Sequence, residues 1–401
     1  MRKISLKLIN IFLLIIGFLP SCSLLNEDDC ENAHNRNEPN DVWLDLSLTK
    51  ASIEEETGLE IEDVYSLRIL LINESGILEN NLFINNSQDA GKLTFPYSLR
   101  LLTTTGKKHL YIIANEKSVA DYNFESDETK PSKSISEWFD GFNEGSSGIE
   151  EKLKDLYFKP DYNKPIPLSC FYEIDLQGNY GDELEKDVYL VNVGTRFYIR
   201  FNNYRNEEVI FDKVALNSVA DLNYLIPQIG ESDLNKDGIY WIDWLKDVVE
   251  ETQKYPGLDD SDTSNDVINE KWGWLNDYRL PKKTEHKIVN FNTSPWTVPK
   301  SILQESTIPK PETLEVFPLY LPESKNIISG GNSQKYTLEF EIRNNAGPPH
   351  NISYELTNLK SLFRDTYVII NVDIVTIVEN IYVEIKNWSY RDNVYGIITP
   401  E

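Results

Sequence analysis

Asp41-Val42-Trp43-Leu44-Asp45-Leu46-Ser47-Leu48-Thr49-Lys50 is the stretch on which the fold turns. Val42, Leu44, Leu46 and Leu48 alternate with Trp43, Asp45, Ser47 and Thr49. On an extended chain, side chains two positions apart share a face, so this period predicts a half-buried β-strand. Working outward, Val64 to Ile72 is almost continuously apolar and predicts a strand covered on both faces. Asn73-Glu74-Ser75-Gly76 follows as a turn, and Ile77 to Ile84 returns as its partner. Leu93 to Leu102 and Leu110 to Ala114 add two more strands. The pattern breaks over Gln177 to Glu185, rich in Gly, Asp and Glu, and then restarts. Val188 to Phe201, Val209 to Leu216, Tyr336 to Ile342, Tyr367 to Val378 and Ile381 to Trp388 all read as strands. In the last of these Ile381, Val383 and Ile385 share one face and Tyr382, Glu384 and Lys386 the other.

Helices are few. Ser134 with Glu137 and Ser147 with Glu150 have capping-box spacing and predict short helices at about Ser136 to Phe142 and Ile149 to Phe158. The chain is therefore mainly β, with domains expected at 41–176 and 186–401. Residues 231–310 stand apart as an insertion of the second domain. They hold one helical segment, about Ile242 to Thr252, and five of the eight Trp: Trp241, Trp244, Trp272, Trp274 and Trp296. Exposed together, such indoles stack on sugars or bury in a partner, and on one helix face they also serve as core.

The start of the chain reads as an export signal. Arg2, Lys3 and Lys7 precede the apolar run Leu8 to Phe18, which is too short to span a bilayer, and Leu19-Pro20-Ser21-Cys22 follows. These four residues resemble the bacterial lipobox, with Pro20 at an unusual position. The resemblance implies cleavage between Ser21 and Cys22 and an acyl chain, such as palmitate, on Cys22. The alternative is an ordinary secretory signal with an incidental Cys. Residues 1–21 are then signal peptide, and the polar residues 22–40, with Asn26-Glu27-Asp28-Asp29, an acidic flexible tether. Cys30 and Cys170 remain; they either pair or stay apart, as a tether thiol and a half-buried one.

Charge narrows the partners. The chain carries 39 Lys and Arg against 65 Asp and Glu, a net −26, which argues against nucleic acid because phosphate contacts need basic side chains. Chemistry finds little footing. His34, His109, His286 and His350 sit in neither metal nor triad spacing, and no nucleophile elbow, P-loop or dinucleotide fingerprint occurs. Carboxylates are so abundant that no spacing singles out a glycosidase pair. The chain reads as a non-enzyme with no resident cofactor.

The sharpest local motif is Asp233-x-Asn235-x-Asp237-Gly238, the first half of a calcium loop. Its twelfth position is Trp244 where a bidentate acid is needed, and Asp243 comes one residue early. A Gly-closed loop with Asx turns accounts for the same residues.

The order of segments resembles the fimbrillin family of Bacteroidetes, the FimA-like and Mfa-like subunits of type V pili. The likeness is carried by the lipobox, the strand Val42 to Leu48, Tyr65-Ser66-Leu67-Arg68-Ile69-Leu70-Leu71-Ile72 with Gly76 in the turn, and Leu110-Tyr111-Ile112-Ile113-Ala114-Asn115-Glu116. Ile166-Pro167-Leu168-Ser169 is similar to the family's junction between domains, Leu362-Phe363-Arg364-Asp365-Thr366-Tyr367 to the opening of a late strand, and Val383 to Trp388 to the terminal strand. The resemblance covers most of the chain outside 231–310.

It implies two transthyretin-like or Ig-like β-sandwich domains and assembly by donor strand exchange. In that scheme Val42, Leu44, Leu46 and Leu48 form a self-complementing strand, cut away after Lys50, before Ala51. Val394, Tyr395, Ile397 and Ile398 belong to a tail donated to the next subunit. The partners implied are other fimbrial subunits, the outer membrane through the lipid, and a host or bacterial surface protein or glycan; the location is the cell surface. One departure matters: stalk subunits carry an Arg after the first strand, whereas Lys50 stands here and 51–63 contain no Arg. An uncut subunit is an anchor; one cut at Lys50 is a stalk or tip subunit. The other reading of the whole chain is a surface glycan-binding lipoprotein using the Trp-rich insertion.

Overall fold

The computed structural model describes residues 39–50, 63–85, 91–120, 122, 134–226, 280–281, 284–301, 311–325, 335–344, 347–356, 359, 361–375 and 378–387. In the first half these form β1 (Asp41–Lys50), β2 (Ser66–Asn73), β3 (Leu78–Asn85), β4 (Tyr97–Thr104), β5 (Gly106–Ala114), helices α1 (Ile135–Phe139) and α2 (Ile149–Lys154), β6 (Tyr157–Phe158), β7 (Leu168–Leu176) and β8 (Glu183–Asn192). Seven strands pair in the order β3-β2-β5-β7-β8-β1-β4. The sheet turns a corner between β7 and β8, where only Leu168 opposite Asn192 and Ser169 opposite Val191 are paired. Past that corner β8-β1-β4 folds over β3-β2-β5-β7, and the inner side chains of both layers form one core.

The expected alternation of β1 is observed, with Val42, Leu44, Leu46 and Leu48 all buried. Both faces of β2 are covered as its sequence predicts. Leu67, Ile69 and Leu71 enter the sandwich, while Leu70 and Ile72 pack with Tyr111, Ile113 and the apolar residues of α1 and α2 in a separate cluster.

The second half comprises β9 (Thr195–Asn203), β10 (Val209–Ala220), β11 (Asn223–Tyr224), β12 (His286–Asn290), β13 (Trp296–Val298), β14 (Glu312–Leu321), β15 (Ser324–Lys325), β16 (Thr337–Asn344), β17 (His350–Glu355), β18 (Ser361–Leu362), β19 (Thr366–Ile374) and β20 (Val378–Asn387). One sheet runs β14-β9-β19-β20; the other runs β12-β10-β16-β17, with β13 also on β10. Phe197, Ile199 and Phe201 of β9 meet Phe211, Val214 and Leu216 of β10 between them. The described residues are thus mainly β, in two sandwiches with two short α-helices.

Several boundaries differ from expectation. Val188 to Phe201 is two strands in different sandwiches, broken at Val193–Gly194. Segment 177–185, read as the break, instead leads into β8, which belongs to the first sheet through its pairing with β1. Helix α1 is capped by Ser134, whose hydroxyl accepts from the Ser136 amide at 3.3 Å. At α2 the box is not formed. The N-cap is Gly148 at φ 75°, and Glu150 is drawn away to accept from Tyr111 Oη at 2.9 Å and to meet His109 Nδ1 at 2.6 Å. That helix stops at Lys154, and Tyr157–Phe158 pairs as a short strand with β11. Within the expected insertion, β12 and β13 join the second sandwich, and Trp296 packs on its core edge-on to Phe201.

Candidate functional site

The site is the slot that β1 fills. In β1 the β-branched and Leu side chains at even positions are driven inward by burial, and the polar ones at odd positions remain at the surface. Two strands flank it. Along β4 it runs antiparallel, with Leu44 opposite Leu101, Leu46 opposite Leu99 and Leu48 opposite Tyr97. Along β8 it runs parallel, from Trp43 opposite Glu183 to Lys50 opposite Leu190. Every main-chain edge of the strand therefore faces a neighbour, and its inner side chains have 0, 0, 1 and 0 % exposure. The floor beneath them is Leu67 and Ile69 of β2, Leu110 and Ile112 of β5, and Tyr172 and Ile174 of β7. Burial of each such side chain is worth about 2 kcal/mol.

On the outer face the three strands are stitched by charge. Arg100 of β4 donates from Nε and Nη2 to the two carboxylate oxygens of Asp45 on β1, each at 2.7 Å, and from Nη1 to Glu183 of β8 at 2.9 Å. These bonds to Asp45 and then Glu183 hold Arg100 charged, its pKa moved further up. Its guanidinium also lies 5.9 Å from the ring of Trp43, which is 37 % exposed. Sequence alone does not reveal this trio, because it depends on the strand register.

The ends of the slot are fixed by backbone. The Trp43 amide donates to Asp182 O at 2.8 Å, and the Gly181 amide to Asp41 O at 2.8 Å, closing the strand's entry. Gly181, at φ 81°, supplies the left-handed residue that this turn requires. At the exit Lys50 is half-buried at the last position of the strand, with Nζ 5.8 Å from the Phe95 ring. The bond to Ala51 leaves the strand there, and Ala51 itself lies outside the described residues.

Asn115, which follows β5 and belongs to the Leu110 to Glu116 motif, ties down the segment entering β2. In a left-handed conformation (φ 54°), its side chain accepts from the Tyr65 amide at 2.9 Å and donates to Asp63 O and Ile166 O, both at 2.9 Å.

Other sequence candidates fall elsewhere. Cys22 with Ser21, the tail residues Val394, Tyr395, Ile397 and Ile398, the loop residues Asp233, Asn235, Asp237 and Asp243, and Trp241, Trp244, Trp272 and Trp274 all lie outside the described residues, as does Cys30. Among the described residues no cluster of His, Cys, Asp or Glu has metal-ligand geometry. Cys170 is buried and free, and burial pushes its thiol pKa up.

No family model matches the sequence, and no curated protein does. Among solved structures the chain is similar to the tip fimbrial protein Mfa3 from Porphyromonas gingivalis with a C-terminal truncation. The identity is 11 %, the match covers 87 % of this chain and 100 % of that one, and the TM-score is 0.46. It is similar to a fimbrilin (FimA) from Porphyromonas gingivalis W83 at 10 % identity over 88 % and 98 % of the two chains, TM-score 0.45. A fimbrial assembly protein from Parabacteroides distasonis is similar at 12 % over 87 % and 96 %, TM-score 0.41.

Proposed function

We propose that this protein is a structural subunit of a surface fimbria, exported as a lipoprotein and assembled by exchange of β-strands. The observation that carries this reading is the position of β1. It lies between two partner strands, β4 and β8, with all four inner side chains buried. Withdrawing it would leave β4 and β8 with facing rows of unpaired amides and carbonyls above an apolar floor. Such a groove is filled by another strand with residues at alternate positions, which is β-augmentation.

Two forms follow from Cys22 and Lys50. With the acyl chain retained at Cys22 and β1 in place, the subunit anchors the fibre at the outer membrane. Cut after Lys50, it accepts a donor strand and sits within the fibre or at its tip, where it contributes to adhesion. Val394, Tyr395, Ile397 and Ile398 provide its own donation. Mass spectrometry of the mature N-terminus on purified fimbriae tests the reading. An acylated Cys22 assigns the anchor role and Ala51 the processed role; absence of the protein from fimbriae of the producing cell refutes both.

A further inference from the structure

We propose that the two sandwiches are pinned into one rigid strut by a buried clamp centred on Arg364, with Asp365 beside it as a second fastening. The chain first crosses between the sandwiches in two residues, Val193 and Gly194, from β8 into β9, and after β10 it returns to the first half at β11, which pairs with β6. A two-residue crossing alone is a hinge. Here it is enclosed by groups drawn from distant parts of the sequence.

Arg364 is 1 % exposed. Its Nε donates to Glu323 Oε1 at 2.8 Å and its Nη2 to Glu323 Oε2 at 2.6 Å, a forked pair. Nη2 also donates to Tyr224 O at 2.7 Å, and Nη1 to Leu225 O at 3.0 Å and Ser169 Oγ at 3.4 Å. The five N–H groups of the guanidinium thus meet five acceptors, which is what a buried arginine needs to repay its lost hydration. Glu323 and Arg364 belong to the second sandwich, Ser169 to β7 of the first. Leu225 packs with the helix-side cluster of the first half. Ser169 closes the ring by donating to Leu225 O at 2.6 Å.

The neighbouring residue completes the joint. Asp365 Oδ1 accepts from the Asn192 amide at 3.2 Å and from Asn192 Nδ2 at 2.8 Å, and the Asp365 amide donates to Gly194 O at 2.9 Å. Asp365 stands at φ 56°, a region that Asp and Asn tolerate because the short polar side chain bonds locally. Asn192 ends β8, the strand beside β1, and Thr366 opens β19, the strand beside β20. The joint therefore connects the slot of β1 to the C-terminal sheet through few residues. Gly194 is closely enclosed: a Cβ there would meet Tyr162 Oη at 3.0 Å and Leu321 O at 3.3 Å, so a larger residue requires these neighbours to give way. Two sequence motifs, Ile166 to Ser169 and Leu362 to Tyr367, converge on this one point.

The inference concerns the chain alone and stands or falls separately from strand exchange. Differential scanning calorimetry of the full exported chain tests it, alongside small-angle scattering. The native chain unfolds in one transition, with equal calorimetric and van't Hoff enthalpies. The paired variant Arg364→Met/Glu323→Leu removes both buried charges, so it folds, and its transition splits into two while its scattering profile broadens toward a flexible pair. Asp365→Ala weakens the joint in the same direction, and Asp365→Asn, which keeps the accepting oxygen and the backbone conformation, restores a single transition. Two transitions in the native chain overturn the proposal. So does a paired variant with one transition, whether unshifted or merely lowered, because Arg364 is then an ordinary stabilising contact.

Discussion

Arg68 grips Glu116 through two parallel bonds, Nε to Oε2 at 3.0 Å and Nη2 to Oε1 at 2.8 Å, in a site where Glu116 is wholly buried. The guanidinium lies between the rings of Phe83 and Phe139, 4.6 and 5.6 Å away, and Ser136 adds its hydroxyl to Glu116 at 2.6 Å. Burial alone would lower the Arg68 pKa, but the bonds and charge of Glu116 and Asp140 outweigh it and raise it, so the guanidinium stays charged. Glu116→Ala removes the buried partner of Arg68 and leaves it the more exposed Asp140, at 2.6 Å, and Asn81, at 3.0 Å, and should cost about 3 kcal/mol. The double change Arg68→Met/Glu116→Leu should cost far less, as read by urea denaturation of both variants.

Leu46 is the test of β1 as a structural strand. Its side chain is 1 % exposed, so Leu46→Ala should lower stability by about 2–5 kcal/mol. Trp43→Ala, on the outer face of the same strand, should cost much less. Equal costs in denaturant titrations would contradict the assigned faces.

Glu150 makes acid stability depend on α2. Burial pushes its carboxyl up, but hydrogen bonds from His109, Lys154 and Tyr111 outweigh that and bring it from 4.5 to about 2. A carboxyl depressed by folding contributes stability that is fully present above its unfolded value. That contribution is lost as pH falls from about 4.5 toward about 2. Glu150→Gln should therefore flatten the stability profile across this window, measured as thermal midpoint against pH, and reduce stability at neutral pH.

Cys170 should be silent toward thiol reagents in the native protein. It is 4 % exposed and burial pushes its thiol up, so thiolate is scarce at neutral pH. Labelling should wait for global unfolding; immediate stoichiometric labelling would show that β7 opens readily.

What the sequence disclosed follows from physical distance along the chain. β1 was legible because one face is buried and the other wet, so the period of two appears in the residues themselves. β2 was legible as an apolar run because both faces are covered. The break between β8 and β9 was not, since Val193-Gly194 sits within an apolar run and only tertiary packing against Tyr162 and Pro167 ends the strand. β14 was missed because Pro318 interrupts its pattern; the ladder shifts register between Val316 and Leu319 to pass it. The α2 cap failed because Glu150 has stronger partners in β5. The Arg364 clamp joins residues 41 to 195 positions apart, a separation that no local pattern records.

The central claim, that β1 occupies a slot built for an exchangeable strand, is tested most directly by peptide capture. A chain beginning at Ala51 is mixed with a labelled peptide of sequence Asp41 to Lys50, and binding is followed by fluorescence anisotropy. The account predicts that this chain takes up the peptide and regains the cooperative unfolding of the intact protein. A peptide carrying Leu44→Asp and Leu46→Asp does not bind, nor does the intact chain bind either peptide. A truncated chain that folds cooperatively without peptide, or takes up both peptides alike, would contradict it.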